Sequence, residues 1–133
     1  MKKNILVKAG VLGMIAVIFG AFAAHALKQI LTPEQIESFQ TGVRYQIIHA
    51  VVLLFLFLII ERYPSKQLII ASHLIFYGVL LFSGSIYVLT LKNMFGMEIL
   101  KFAGPITPIG GLLLILGWIF IVIGGVKLES KIN

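Results

Sequence analysis

Four long apolar runs set the main constraint on how this chain folds. They cover about residues 9–27, 43–60, 67–91 and 108–126. A helix needs roughly 20 residues to cross a hydrocarbon core of about 30 Å, so each run is long enough to span a membrane once. Only 12% of the 133 residues are charged, about half the share found in soluble domains. The sequence therefore predicts an all-α membrane protein, a four-transmembrane-helix bundle formed by one integral domain over residues 1–133.

The composition argues against several classes of function. The eleven lysines and arginines are scattered singly between apolar runs, which excludes a nucleic-acid-binding surface. The chain has no cysteine, so it has neither disulfides nor thiolate metal sites. It also has no aspartate, and its five glutamates lie outside the apolar runs, so no carboxylate at membrane depth is available to orient a catalytic histidine or to exchange protons. We expect a non-enzymatic protein without a metal or other cofactor, surrounded by the lipid bilayer.

The first apolar run has some features of a signal peptide. Two lysines precede it, and Ala21-Phe22-Ala23 resembles a cleavage site. A retained span is favoured because small residues repeat through the whole run. Seven lysines and arginines flank the spans on the side of the two termini, against four on the other side. Since such cations stay preferentially in the cytoplasm, we expect a multi-pass protein of the plasma (cell) membrane with both termini cytoplasmic.

Local signals predict where individual helices begin. The segment Thr32-Pro33-Glu34-Gln35 supplies a capping residue, a proline at the first helical position and a glutamine in the capping-box position. The apolar residues that follow share one face, which predicts a short interfacial helix before span two. Thr107-Pro108 predicts the cap and the first residue of span four. The short polar stretch 61–66 predicts that spans two and three form an antiparallel hairpin.

Small residues recur along spans one and four at helical spacing, where they allow another helix backbone to approach closely. Such stripes pack either within the monomer's own bundle or between the copies of a homo-oligomer, and the bundle is favoured. The residues predicted to form these packing surfaces are Gly13, Ala16, Gly20, Gly110, Gly117 and Gly124.

Polar side chains at membrane depth must be satisfied inside the bundle or in a wet cavity. All four spans carry such residues toward the side opposite the termini, and we expect them to meet at one depth. They are His25, Gln46, His49, Ser83, Ser85, Tyr87, Thr90 and Thr107. His73 lies in the other half of span three and is expected to be satisfied within the bundle. Trp118 falls in the middle of span four, so its indole N–H needs an internal partner.

Three interpretations of this polar cluster are open. The first is a structural hydrogen-bond network between helices. The second is a shallow outward-facing site for a small polar ligand, an ion or a lipid head group. The third is a haem or metal site in which His25 and His49 are the ligands.

Five short strings carry a resemblance to a known family: GAFAAHAL (20–27), YQIIHAV (45–51), LFSGSIYVL (81–89), TPIGG (107–111) and GW (117–118). Together they resemble the uncharacterised small four-span membrane proteins typified by bacterial YgdD and YwdK, which have mitochondrial relatives. The resemblance implies an integral plasma-membrane protein with four helices and a retained first span. Carried over by position, it implies that the signature polar residues are His25, Tyr45, Gln46, His49, Ser83, Ser85, Tyr87 and Thr107.

Our leading functional hypothesis is a non-enzymatic binding or helper protein. Its partner would be a small ligand, a lipid or another membrane protein, at the outer polar cluster or the glycine stripes. The first alternative is an oligomeric transporter or channel for a small solute or ion, with a pore lined by Gln46, His49, Ser83 and Tyr87. The second alternative is a bis-histidine haem or metal protein.

Overall fold

The computed structural model describes residues 2–96 and 102–132, without the side chains of residues 2, 3, 93–95, 129, 131 and 132. Within these ranges the chain forms four long α-helices and no strand. They are α1 (Lys2–Ala24), α2 (Pro33–Arg62), α3 (Lys66–Phe95) and α4 (Ile106–Ile132), with a short 3-10 helix, Leu27–Gln29, after α1. All four are long and apolar enough to cross a membrane. The predicted all-α, four-span architecture is confirmed.

Helix α2 begins where its capping signals predict. The Thr32 Oγ1 atom accepts the N–H of Gln35 at 3.3 Å, while Oε1 of Gln35 accepts the N–H of Thr32 at 2.9 Å. Pro33 occupies the first turn, where a missing N–H costs no helical bond. The helix then continues for 30 residues, so the predicted interfacial segment is the first part of the spanning helix. A helix of this length extends about 45 Å, which exceeds the hydrocarbon core, so α2 also reaches into the interface.

Helix α4 differs from its prediction at the first turn. The sequence predicts Thr107 as the cap and Pro108 as the first helical residue, but the helix already includes Ile106. The Thr107 hydroxyl pairs with the Ser85 hydroxyl of α3, with 2.6 Å between the two oxygens. A contact between helices has therefore taken the place of the expected cap.

Helices α2 and α3 form the centre of the bundle, and α1 and α4 flank this pair on opposite sides. Helix α1 packs along α2 and also reaches α3, where the rings of Phe19 and Tyr87 lie 4.9 Å apart. Helix α4 packs along α3 and also reaches α2, where Trp118 contacts His49. Within the described ranges, α1 and α4 have no extensive contact with each other. We call the end of the bundle at which α1 begins and α4 ends the proximal end, and the opposite end the distal end.

The small residues of α1 face α2. A Cβ added to Gly20 would lie 3.5 Å from Val43, and one added to Gly13 would lie 4.0 Å from Ala50. Ala16, between these two glycines, is buried. The absence of larger side chains on this stripe brings α1 close to α2 over several turns, and close van der Waals packing is the main attraction between helices in lipid.

The glycines of α4 fit still more tightly against α3. A Cβ added to any of the three glycines that recur every seven residues would collide with α3. The pairs are Gly110 with the backbone of Phe82, Gly117 with the side chain of Ile75, and Gly124 with the side chain of Leu68. Each seven-residue step along α4 matches a seven-residue step backward along α3. The two helices thus form one continuous antiparallel contact surface.

Candidate functional site

Gln46 joins three helices in the interior of the bundle. Its side chain is only 3% exposed. Its Nε2 donates to the carbonyl oxygen of Leu12 on α1 at 2.8 Å, and its Oε1 accepts the hydroxyl of Tyr87 on α3 at 2.8 Å. Beside it, the Ser83 hydroxyl donates to the carbonyl oxygen of Gly42 at 2.8 Å. These bonds fix α1, α2 and α3 to one another on one side of the central pair.

The Tyr87 ring lies in an aromatic cluster next to this network. The ring centroids of Phe19 and Phe39 lie 4.9 Å and 4.8 Å from that of Tyr87. Gly42 leaves room for the ring, because an added Cβ would approach Cε1 of Tyr87 to 2.7 Å. The tyrosine is therefore held by its hydroxyl at one end and by packed rings along its sides.

His49 lies on the other side of the central pair and faces α4. Its Nδ1 hydrogen-bonds to the carbonyl oxygen of Tyr45 at 2.7 Å, and its Nε2 accepts the indole N–H of Trp118 at 3.2 Å. The ring thus carries its proton on Nδ1, since a carbonyl only accepts. Trp118 finds the internal partner that its mid-span position requires. The Tyr45 side chain is 43% exposed and its ring packs against Phe82, with 4.6 Å between centroids.

The histidines predicted as possible haem or metal ligands do not meet. His25 lies just beyond α1 with an exposed side chain. Leu12 marks the level of Gln46 on α1, because its carbonyl oxygen accepts from that side chain. His25 follows Leu12 by thirteen residues and so lies about 20 Å further along the helix axis. Both ring nitrogens of His49 already have partners. Among the described residues no group of three histidine, cysteine or acidic side chains is placed to hold a metal. His73 is half-buried, and its Nδ1 hydrogen-bonds to the carbonyl oxygen of Ile69 in its own helix at 2.8 Å.

Ser85 and Thr107, two further residues of the predicted cluster, form a separate pair nearer the distal end. Ser85 donates its hydroxyl to the carbonyl oxygen of Phe82 at 2.9 Å and pairs with Thr107. Thr107 precedes Trp118 by eleven residues on α4, so the two contacts lie about 16 Å apart along that helix. The predicted cluster is therefore not at one depth. It divides between the two faces of the α2–α3 pair and extends over several turns.

The buried polar side chains of this network bond to groups inside the bundle. In the described part of the chain, no buried side-chain nitrogen or oxygen lacks a hydrogen-bond partner. Gln46, Ser83 and Tyr87 bond to each other's helices within a single chain, so they do not line an open pore there. These side chains hold the helices together. Because their polar groups are engaged inside the bundle, a ligand site has to be sought elsewhere on the protein.

A cleft at the distal end offers such a place. It has a volume of about 390 Å³, within the range of roughly 300–1,000 Å³ typical of small-molecule sites. Three helices contribute to its lining: Glu34, Gln35 and Ser38 of α2, Ile86, Leu89 and Thr90 of α3, and Thr107 of α4. Of these, Thr90 and Thr107 belong to the polar cluster that the sequence predicts. Glu34 and Ser38 were not predicted as site residues: the amphipathic pattern places Glu34 away from the apolar face, and no sequence signal singles out Ser38.

A second cavity of about 580 Å³ lies at the proximal end beside the α2–α3 turn. Its lining consists of Pro64 and Ser65 of the turn and of five residues of α3: Lys66, Ile69, Ile70, His73 and Leu74. It shares no residue with the polar network or the distal cleft.

The four apolar helices and their internal polar network define a multi-pass α-helical membrane protein. Residues 19–111 match the family described as "Protein of unknown function (DUF423)", and the chain belongs to that family. The matched segment contains the described lining of the distal cleft and the eight polar residues that the sequence resemblance implies, from His25 to Thr107.

Several relatives are similar over most of their length. The UPF0382 inner membrane protein YgdD of Escherichia coli (strain K12) is 32% identical over 95% of this chain and 92% of its own. The UPF0382 membrane protein YwdK of Bacillus subtilis (strain 168) is 32% identical over 94% of this chain and 98% of its own. The UPF0382 membrane protein SSP2132 of Staphylococcus saprophyticus is 37% identical over 86% of this chain and 90% of its own. No solved structure is significantly similar to this chain.

Proposed function

We propose that this protein is a non-enzymatic membrane protein that binds a small polar ligand or a lipid head group in the distal cleft. The observation that carries the proposal is the cleft itself: three helices converge around a volume of about 390 Å³ with carboxylate, amide and hydroxyl groups in its lining. A few polar groups that converge on a concave surface beside apolar side chains are the usual form of a ligand site.

The excess of cations flanking the proximal end supports an orientation in which the distal cleft faces away from the cytoplasm. Lys8, Arg62, Lys66 and Lys127 are among the side chains at the proximal end. A ligand of the cleft would then come from the outer leaflet or from the medium outside the cell. The Thr107 hydroxyl belongs both to the cleft lining and to the pair with Ser85, so the cleft rests directly on the interhelical network.

The natural absence of cysteine allows a direct test of the cleft's exposure. Ser38→Cys places one thiol in the cleft lining, and Ser130→Cys is a matched control, an exposed helical serine near the carboxyl end of α4. In intact cells, a membrane-impermeant maleimide is expected to label Ser38→Cys at once and Ser130→Cys only after permeabilisation. The reverse pattern would overturn the orientation.

Binding is tested with the same thiol in dodecyl maltoside micelles, which carry neither ammonium nor phosphate. The solutes are ethanolamine, choline and glycerol 3-phosphate, and the protein is also reconstituted into nanodiscs of phosphatidylethanolamine or phosphatidylcholine. We expect at least one of these solutes or lipids to slow the labelling of Ser38→Cys, and the labelling rate of Ser130→Cys to stay unchanged. The proposal fails if none does, or if Ser38→Cys reacts no faster than Ser72→Cys, a serine buried in the proximal half of α3.

A further inference from the structure

We infer that the distal cleft selects a primary ammonium group on a short aliphatic stem, an inference that rests on the proposed function. Among the described residues that line the cleft, Glu34 is the only one whose side chain has a formal charge. The side-chain oxygen of Gln35 is already engaged by the Thr32 N–H. A cationic group is therefore the electrostatic complement of the lining.

The hydroxyl protons of the lining favour the same ligand. Thr90 Oγ1 donates its proton to the carbonyl oxygen of Ile86 at 2.7 Å. Ser85 donates its own to the carbonyl oxygen of Phe82, so Thr107 must be the donor in the Ser85–Thr107 pair, since a hydroxyl has one proton to give. Both threonines thus keep only lone pairs for the cleft. A ligand that meets these oxygens must bring its own hydrogen-bond donors.

Two helices begin at the distal end, and a helix start usually attracts an anion through its free N–H groups. Here those donors are depleted. Pro33 and Pro108 remove one N–H each from the first turns of α2 and α4. In α2 the N–H of Gln35 is bonded to Thr32 Oγ1, and the N–H of Ile36 is bonded to the Thr32 carbonyl oxygen. The start of α2 therefore offers an anion few donors, while Glu34 opposes an anion with a full negative charge.

A primary ammonium has three N–H donors, whereas a quaternary ammonium has none. The carboxylate of Glu34 and the two threonine oxygens match those three donors in number and kind. Ile86 and Leu89 line the same cleft and provide apolar contact for a stem of a few carbons. Two sources carry this chemistry at a membrane surface: the head group of phosphatidylethanolamine and a free primary amine.

The experiment compares Glu34→Gln with Glu37→Gln in the Ser38→Cys background. Both variants remove one carboxylate from the exposed face of α2, but only Glu34 lines the cleft. Ethanolamine is expected to slow maleimide labelling in micelles, and choline is not. Glu34→Gln should raise the ethanolamine concentration needed for half-protection roughly tenfold, as expected for loss of one charge-assisted hydrogen bond. Glu37→Gln should leave it unchanged within about twofold.

Nanodiscs separate the two sources. If the head group is the ligand, phosphatidylethanolamine nanodiscs protect Ser38→Cys without added amine, and phosphatidylcholine nanodiscs do not. If the ligand is a free amine, only dissolved ethanolamine protects in either lipid. Equal protection by choline, or protection by glycerol 3-phosphate instead of ethanolamine, would overturn the assignment of a primary ammonium and leave binding in the cleft intact. Absence of protection under every condition would overturn both.

Wild-type protein provides a second measurement that leaves Ser38 unchanged. In micelles, ethanolamine should raise the midpoint of thermal unfolding, because a ligand that binds only the folded state stabilises it. Choline at the same ionic strength should not. An equal rise with both salts would count against selection of the primary ammonium.

Discussion

Two adjacent glycines in α4 provide a sharp test of the packing. Gly110 faces α3 so closely that an added Cβ would collide with the backbone of Phe82 and lie 2.8 Å from the carbonyl carbon of Leu81. The Cβ of an alanine at Gly111 would instead meet the Phe82 ring at 3.7 Å, an ordinary van der Waals distance. An alanine at Gly111 therefore causes no steric clash.

Gly110→Ala and Gly111→Ala are expected to change the free energy of unfolding in opposite directions. Alanine favours a helix over glycine by about 1 kcal/mol at either position. At Gly110 this gain is opposed by overpacking, which costs about 1–3 kcal/mol. The upper part of that range applies because the obstacle is backbone, which cannot rotate aside. Gly110→Ala should thus lose about 2 kcal/mol, while Gly111→Ala should gain up to about 1 kcal/mol.

Trp118 is the only tryptophan of the sequence, and it contacts α2 from α4. Its fluorescence therefore reports separation of α4 from the rest of the bundle. We would titrate the protein in mixed micelles with dodecyl sulfate and compare the unfolding midpoints of wild type, Gly110→Ala and Gly111→Ala. Stabilisation of both variants by a similar amount would mean that helix propensity alone acts at these positions, and the close contact between α4 and α3 would be refuted.

Two further predictions concern hydrogen bonds between helices. In a double-mutant cycle of Gln46→Leu and Tyr87→Phe, the coupling free energy should be about 0.6 kcal/mol, the average for such bonds in membranes, and a value of zero would exclude the bond between these side chains. A cycle of Ser85→Ala and Thr107→Val should give a coupling of similar size, measured by the same titration. If those two substitutions are strictly additive, the Thr107 hydroxyl has some other partner, and its role in the cleft fails as well.

Much of the fold was predictable because lipid imposes strong local rules. A helix in lipid must form all its backbone hydrogen bonds internally and must cross a hydrocarbon core of fixed thickness, so a single apolar run of sufficient length indicates it. The start of α2 was predictable for a similar reason, since Thr32, Pro33 and Gln35 form the cap among themselves. The start of α4 was not, because the Thr107 hydroxyl bonds to a residue 22 positions away.

The polar cluster was predictable in composition but not in arrangement. Gln46 and His49 are three residues apart on α2, which suggests a shared face. Three residues nevertheless turn a helix by about 300°, so the two side chains point about 60° apart. Because α2 is contacted from two sides, this angle is enough for Gln46 to meet α1 and α3 while His49 meets α4. Which helix each of these two side chains contacts depends on where the neighbouring helices lie, and the sequence of α2 alone does not give their positions.

The structural and ligand-binding interpretations of the polar cluster need not compete. A ligand site gains affinity when its polar groups are held in place before the ligand arrives. In the distal cleft, the orientation of Thr107 follows from its bond to Ser85, whose own proton is held by the Phe82 carbonyl oxygen. Phe82 is in turn held against α4 by the close contact at Gly110. The bonds that fasten α4 to α3 therefore also determine which lone pairs face the cleft, so a variant that loosens this contact should weaken ethanolamine binding even though it leaves Glu34 untouched.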